Sequence, residues 1–285
     1  MVAIAAALWG TLGIYIDYLT SAGFSTIDIV AFRVIVSVVL LWGYLRLKNP
    51  ALLKISLKDF YLFFGTGVLS ILFFNWSYFT AISETSLSIA VVLLYTGPTF
   101  VVIMSRIFFM EQITKNKQVA LLLTLIGIIF VSELYPESGN LSMYGLIVGV
   151  GAGFGYALYS IFSKLALKKY RPLTILFYTF LTASVFILPF TQIFTVETVH
   201  KITNPETGLT ILGLAIFPTV LAYLLYTEGL KKIEAGNASI TAMTEPVAAT
   251  LIGIFMFGEV LSALQVSGMI LVLLSVLLIQ KRSIR

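Results

Sequence analysis

The 285-residue chain contains no cysteine and a single histidine, His200. The missing thiols exclude disulfide bonds, iron–sulfur clusters and cysteine nucleophiles, and one histidine supports neither a histidine metal cluster nor a catalytic triad. Charged residues are also scarce, at 11% of the sequence, against about 25% in soluble domains. Because 59% of the residues are hydrophobic and the mean hydropathy is +1.01, a water-soluble globule is excluded.

Apolar runs of membrane-spanning length follow one another along the whole chain. A helix needs about 20 apolar residues to cross a bilayer, and ten such runs predict an all-α integral membrane protein with ten transmembrane helices. The first run starts at Met1 without a basic leader, and we expect it to be a retained helix rather than a signal peptide. The predicted spans are 2–20, 26–46, 59–80, 86–108, 117–134, 142–163, 173–194, 208–230, 237–257 and 263–280.

The basic residues alternate between the connections. Lysine and arginine accumulate on the cytoplasmic side of membrane proteins, and 16 of the 18 basic residues fall in the even-to-odd connections and the C-terminal tail. The exceptions are Lys201 in an odd-to-even connection and Arg33 within the second helix. We therefore expect a multi-pass cell-membrane protein with both termini in the cytoplasm. The net charge of +5 reflects this topology, so the lipid bilayer, and no nucleic acid, is the expected partner.

The two halves of the chain are weakly similar at a shift of 148 residues. They predict two five-helix repeats, residues 1–134 and 135–285. Because five is odd, the second repeat enters the membrane upside down, which is the inverted-repeat arrangement of many carriers. The matching pairs are Tyr78 with Tyr226, Ala90 with Ala238, Thr96 with Thr244, Pro98 with Pro246, Phe109 with Phe257 and Glu111 with Glu259.

These features resemble the drug/metabolite transporter superfamily, specifically its ten-helix EamA-type members. The resemblance rests on Trp9-Gly10, Phe32-Arg33 and the two elements that run from Pro98 to Glu111 and from Pro246 to Glu259. It implies a proton- or gradient-coupled carrier, often an exporter of amino acids or other small metabolites, with a central cavity between the halves. We expect no enzyme activity and no cofactor.

Glu245 and Arg33 are the charged candidates within the membrane. A charge inside the hydrocarbon costs about 2.5–3.5 kcal/mol on insertion scales, so each should face the protein interior. Glu245 lies near the middle of the ninth helix, where we expect it to bind a substrate amine or carry the coupling proton; the alternative is a hydrogen bond inside the bundle. For Arg33, an ion pair with Asp17 or Asp28 is the favoured interpretation, and binding of a substrate carboxylate is the alternative.

Aromatic and polar residues at similar depth complete the predicted cavity. Tyrosine and tryptophan combine an apolar ring with a hydrogen-bonding group, which suits a small amphipathic ligand. Pro98 and Pro246 should break their helices, because proline cannot donate a backbone hydrogen bond. The other candidates are Trp9, Tyr95 and Tyr156 near the midplane, with Asn75, Tyr78, Tyr223 and Tyr226 flanking them.

Three other classes of function remain as alternatives to a carrier: a channel-like pore, a membrane sensor and an intramembrane enzyme. An enzyme would need clustered carboxylates or histidines at one depth, whereas Glu245 is the single acid predicted at the midplane. An ATP-driven pump is disfavoured, because the sequence has no G-x-x-x-x-G-K-[ST] loop. The sequence leaves open the substrate, the direction of transport, the coupling ion and whether the protein is a monomer or a homodimer.

Overall fold

The computed structural model describes residues 1–132, 142–257 and 261–280, and all regular structure in these ranges is helical. Eight helical stretches within them are long and apolar enough to cross a membrane. At the two remaining predicted spans the chain forms the helices Lys115–Val131 and Ala263–Gln280, of 17 and 18 residues. The eight spans are Val2–Ser21, Thr26–Lys48, Leu57–Glu84, Leu87–Phe109, Met143–Ala166, Pro172–Phe190, Pro205–Lys232 and Ala235–Met256.

Several spans consist of more than one α-helix. The first half of the chain contains α1 (Val2–Gly10), α2 (Leu12–Ser21), α3 (Thr26–Lys48), α4 (Phe60–Phe64), α5 (Phe73–Glu84), α6 (Leu87–Leu94), α7 (Gly97–Phe109) and α8 (Lys115–Val131). The second half contains α9 (Met143–Ala166), α10 (Pro172–Ile187), α11 (Val196–Ile202), α12 (Pro205–Ala215), α13 (Ala222–Lys232), α14 (Ala235–Ala242), α15 (Glu245–Phe257) and α16 (Ala263–Gln280). The short helix α11 lies in a connection for which the sequence predicted no helix.

Three spans are interrupted inside the membrane, and a threonine stands at each interruption. The hydroxyl groups of Thr11, Thr96 and Thr244 donate to the carbonyl three residues earlier, at 2.7, 2.6 and 3.0 Å. The same three carbonyls also accept the backbone N–H of the threonine, so each hydroxyl adds a second hydrogen bond at the interruption, where lipid offers no donor. Pro98 and Pro246 each occupy the second position of the next helix, α7 and α15, so each proline directly follows the interruption of its span.

Two other spans contain a π-helical segment that the sequence analysis did not predict. Gly65–Leu72 joins α4 to α5, and Ile216–Leu221 joins α12 to α13. A helix from the other half of the chain supports each of them. Thr182 of α10 donates to the Phe63 carbonyl at 2.9 Å, and Arg33 of α3 donates to the Pro218 carbonyl at 3.3 Å.

The helix boundaries of the two halves recur at the shift found in the sequence. Adding 148 to the bounds of α6 gives those of α14, and adding 148 to the bounds of α7 gives those of α15. The first residues of α8 and α16 are related in the same way. Glu259, the partner of Glu111 in the sequence repeat, lies outside the described residues, as do the basic residues Lys281, Arg282 and Arg285.

Glycines allow close helix packing at two places. Gly149 and Gly153 of α9 lie directly against Leu93 and Thr96, so a methyl group at either glycine would overlap these residues. Helices α8 and α16 pack together where Gly127 and Gly268 face each other, and near this contact Thr124 donates to Ser275 at 2.8 Å. This pairing brings the last helix of each half together.

We expect Gly127→Ala to lower the free energy of unfolding by about 1–3 kcal/mol, the usual cost of overpacking. An added Cβ would lie 2.8 Å from the Gly268 carbonyl oxygen and 3.1 Å from the Val272 nitrogen, and backbone atoms cannot rotate away. Gly43→Ala is the matched control, because nothing lies within 4 Å of a Cβ at that helical glycine. Thermal melting in detergent measures both variants, and equal melting temperatures would contradict the prediction.

Candidate functional site

A cavity of about 60 Å³ lies among the interrupted helices, the π-helical segments and α9. This volume accommodates a few water molecules. The charged groups Arg33 and Glu245 both line it. The remaining wall consists of Trp9, Leu12, Ser70, Ile71, Phe74, Leu94, Tyr156, Tyr159, Ser160, Tyr223 and Tyr226.

Glu245 is the first residue of α15, directly after the break in its span. Its carboxylate therefore lies at a helix N-terminus, where the unpaired backbone N–H groups favour negative charge. It is half-buried, and no ion pair or side-chain hydrogen bond to it is present among the described residues. The acid therefore lines the cavity without a partner from the described residues.

Arg33 is anchored to the π-helical segment on the other side of the cavity. Its Nε atom donates to the Thr219 hydroxyl at 2.8 Å, and its Nη2 atom donates to the Pro218 carbonyl. Its guanidinium lies 5.6 Å from the centre of the Tyr223 ring, within the range of a cation–π contact. The predicted ion pair with Asp17 or Asp28 is wrong: Asp28 instead accepts hydrogen bonds from Ser25 and from the backbone N–H of Gln192.

An aromatic cluster forms much of the cavity wall. The Tyr223 ring packs edge-on against Trp9 at 5.2 Å and against Tyr159 at 4.8 Å, and Trp9 also contacts Tyr226 at 5.2 Å. Two polar groups in the wall are unsatisfied, because the buried Trp9 Nε1 and Tyr156 hydroxyl have no hydrogen-bond partner among the described residues. Buried donors are normally bonded, so these two groups remain unpaired in the conformation described.

Two hydrogen-bonded pairs between α9 and α13 close one end of the cavity. Ser160 and Tyr226 share a bond of 2.7 Å, and Tyr159 and Thr227 share one of 2.8 Å. Tyr226 is 1% exposed. These pairs lie on the side toward Lys164 and Lys232, so the cavity is sealed from the end of the bundle that carries these lysines.

Comparison with known proteins identifies the family of this chain. The model of the EamA-like transporter family matches residues 1–133 and 143–280. The chain belongs to the EamA-like transporter family. This EamA-like transporter is a multi-pass membrane protein, in agreement with the sequence resemblance.

Its relatives span almost the whole chain. An uncharacterized transporter of Archaeoglobus fulgidus is 30% identical over 281 residues, 97% of this chain and 94% of the relative. The uncharacterized inner membrane transporter YicL of Salmonella typhimurium is 24% identical over 288 residues, 100% of this chain and 95% of YicL. A solved crystal structure with 16% identity superposes with a TM-score of 0.79 over 97% of this chain and 94% of its own, which shows a shared fold.

Most of the residues predicted for the site of this EamA-like transporter come together in the structure. Trp9, Arg33, Tyr156, Tyr223, Tyr226 and Glu245 line the cavity. Tyr95 is buried at a helix break, and Tyr78 stacks on the lining residue Phe74 at 5.9 Å, so both lie behind the wall.

Asn75 does not reach this cavity. Its side chain donates to the Ile71 carbonyl at 2.7 Å and faces a separate apolar groove between α3, α5 and α10. The π-helical segment that ends at Leu72 changes which residues of this span point inward, and a regular helical periodicity cannot anticipate that change.

Sequence reasoning missed Tyr159, Ser160, Ser70 and Thr219 of this EamA-like transporter. Tyr159 and Ser160 follow Tyr156 by about one turn on α9, so they lie on the same face of the helix as this predicted residue. Helical periodicity could therefore have identified them. Thr219 follows Pro218, which interrupts the hydrogen bonding of its helix. Ser70 carried no comparable signal.

We expect Tyr226→Phe to destabilise the transporter by about 1–3 kcal/mol, because it leaves the buried Ser160 hydroxyl unpaired. Adding Ser160→Ala removes the unpaired hydroxyl, so the double variant should cost less than the sum of the two single variants. Thermal or denaturant unfolding in detergent of all four proteins gives the coupling energy. If the effects of the two single variants on the free energy of unfolding simply add, the 2.7 Å hydrogen bond between Ser160 and Tyr226 contributes nothing to stability.

Proposed function

We propose that this EamA-like transporter is a secondary carrier that moves a small metabolite, such as an amino acid, by alternating access to its central cavity. Glu245 binds the substrate amine or carries the coupling proton, and the free donors of Arg33 bind a carboxylate. The observation that carries the proposal is the pair of opposite charges lining one cavity without an ion pair between them.

The form of the cavity supports a carrier rather than an open pore. Carriers bind their substrates near the bilayer midplane at interrupted helices, and Glu245 stands at such an interruption within the span Ala235–Met256. Hydrogen-bonded pairs seal the cavity on one side, so passage requires a conformational change. Export in particular rests on the family resemblance alone.

We further propose ten membrane-spanning helices in two inverted halves, residues 1–134 and 135–285. The recurrence of helix boundaries at the shift of 148 supports it, as do the two separate family matches. The support of each π-helical segment by a helix of the opposite half fits the same pseudo-symmetry. Helices α8 and α16 would cross the membrane as an adjacent pair.

The proposed location is the cell membrane, with both termini in the cytoplasm. The connections that carry the basic residues meet at one end of the bundle. Lys169 pairs with Asp59 there at 2.6 Å and Lys164 with Glu111 at 3.1 Å. At the other end Lys201 donates to the Gly23 carbonyl.

We expect Glu245→Gln to abolish coupled transport while the protein remains folded, because glutamine keeps the shape but cannot exchange a proton or balance a cation. A metabolite comparison of cells with and without the protein identifies the substrate, and counterflow in proteoliposomes measures its transport. Asp17→Asn is the matched control, since this exposed acid of α2 lies outside the cavity. Undiminished coupled transport by Glu245→Gln would refute the role of Glu245.

Inversion predicts that equivalent positions face opposite sides of the membrane. Lys58 and Glu206 are related by the shift of 148, and both are exposed. With no native cysteine, single-cysteine variants label without background. A membrane-impermeant maleimide added to intact cells should label Glu206→Cys, and it should label Lys58→Cys only after permeabilisation. Labelling of both variants from the same side would contradict the inverted arrangement.

A further inference from the structure

A buried carboxylate outside the cavity joins the two halves of the chain. Glu111 follows α7 and is 7% exposed. It accepts hydrogen bonds from the backbone N–H groups of Ala235 and Gly236, at 2.8 and 3.2 Å, and from the Lys164 ammonium at 3.1 Å. It therefore caps α14, the first helix of the span in which Glu245 lies.

Two further charged groups complete the arrangement. The buried Lys117 ammonium lies 3.7 Å from Glu111 and 2.8 Å from Glu234, and Lys164 also donates to the Ile233 carbonyl at 2.7 Å. We call Glu111, Lys117, Lys164 and Glu234 the Glu111 cluster. It has two charges of each sign, and Glu111 and Lys117 are the buried members. Loss of the Glu111 charge would leave Lys164 without its acidic partner.

The backbone beside Glu111 is constrained. Met110 adopts the left-handed conformation with φ of 58°. Among the residues that the structure describes, no other non-glycine residue has a positive φ. At helix ends this conformation is normally adopted by glycine, and the side chain of methionine does not favour it. Strain of this kind persists only where surrounding contacts enforce it, and here it turns the chain so that Glu111 reaches α14.

The carboxylate is held in its charged form. Burial raises the pKa of Glu111, but the Ala235 N–H group and the Lys164 ammonium lower it by more, so the pKa lies below its ordinary value. The cluster is therefore an ionic contact under physiological conditions.

The Glu111 cluster lies next to the closed end of the cavity. Lys164 follows Ser160 on α9 by about one helical turn, and Ser160 belongs to the pairs that seal the cavity. The cluster thus lies directly outside the seal, where it fixes α14 to α9 and to the connection between α7 and α8. Opening this end requires these contacts to separate.

We propose that Glu111 is a positioning residue that latches α14 and keeps the lysine-bearing end of the cavity closed in the conformation described. The proposal rests on the carrier function proposed above, because only an alternating-access cycle requires this end to open and close. Glu111 touches no substrate and acts through α14.

Accessibility of the cavity from each side tests the latch without a known substrate. Ser70→Cys places a reporter of similar size in the cavity wall, in a protein without native cysteines. Its rate of labelling by a membrane-impermeant methanethiosulfonate is measured in inside-out and right-side-out vesicles. The lysine-bearing end faces the medium in one of the two preparations.

We expect Glu111→Gln to raise the rate of labelling from the lysine-bearing end by roughly tenfold, as the loss of a charge-assisted contact predicts, and to lower it from the opposite end. A merely loosened structure would raise both rates, so opposite changes identify a latch. Lys164→Met should act in the same direction. Glu197→Gln is the control, because this exposed acid pairs with Lys201 within α11 and its loss should change neither rate.

Unchanged labelling in folded Glu111→Gln and Lys164→Met proteins, or a rise from both sides, would overturn the proposal. Thermal melting of each variant establishes that it is folded, and Glu111→Asp should restore the rates in part. The outcome is separable from that of the carrier proposal. Loss of transport in Glu245→Gln tests the site, whereas the labelling rates test the latch even if no transported substrate is found.

Discussion

Lipid offers no hydrogen-bond partner, and this constraint governs where the backbone of this protein can depart from the α-helix. Inside a bilayer each unsatisfied carbonyl or N–H group costs several kcal/mol. The chain interrupts three spans within the apolar region, and in each case the backbone N–H and the hydroxyl of one threonine, Thr11, Thr96 or Thr244, both donate to the carbonyl three residues earlier. The irregular backbone is thereby stable enough to surround a cavity, and the freed helix N-terminus of α15 places Glu245 beside it.

The π-helical segments follow the same constraint, but their partners come from the other half of the chain. Arg33 reaches from α3 to the segment containing Pro218, and Thr182 reaches from α10 to the carbonyl that precedes the segment starting at Gly65. Each half therefore places a side-chain donor against a carbonyl at the π-helical segment of the other half. In the proposed alternating-access cycle, a movement that separates the halves at one end would have to preserve these bonds or replace them.

The sequence predicts the helices well, since long apolar runs are required by the thickness of the bilayer. Pro98 and Pro246 also revealed the helix breaks, because proline cannot continue the hydrogen-bond ladder. The side-chain directions were harder to predict. Asn75 was expected in the cavity, but the π-helical segment before it changes the inward face of its span. Arg33 was expected to pair with an acid, whereas its partners are a hydroxyl and a carbonyl, which no charge pattern reveals.

The two sets of buried charges differ in how they are compensated, and this difference separates their proposed roles. In the Glu111 cluster each charge has an opposite partner and the carboxylate also accepts backbone N–H groups, so the cluster is stable without a ligand. Glu245 has no such partner among the described residues. Since a charge in the hydrocarbon costs about 2.5–3.5 kcal/mol, a carboxylate that has a helix N-terminus beside it but no ion-pair partner is further stabilised by a cation or proton that reaches it. In the proposed transport cycle, binding at Glu245 therefore contributes free energy that a fully paired site would lack, and this free energy would shift the conformational equilibrium that the proposed latch opposes.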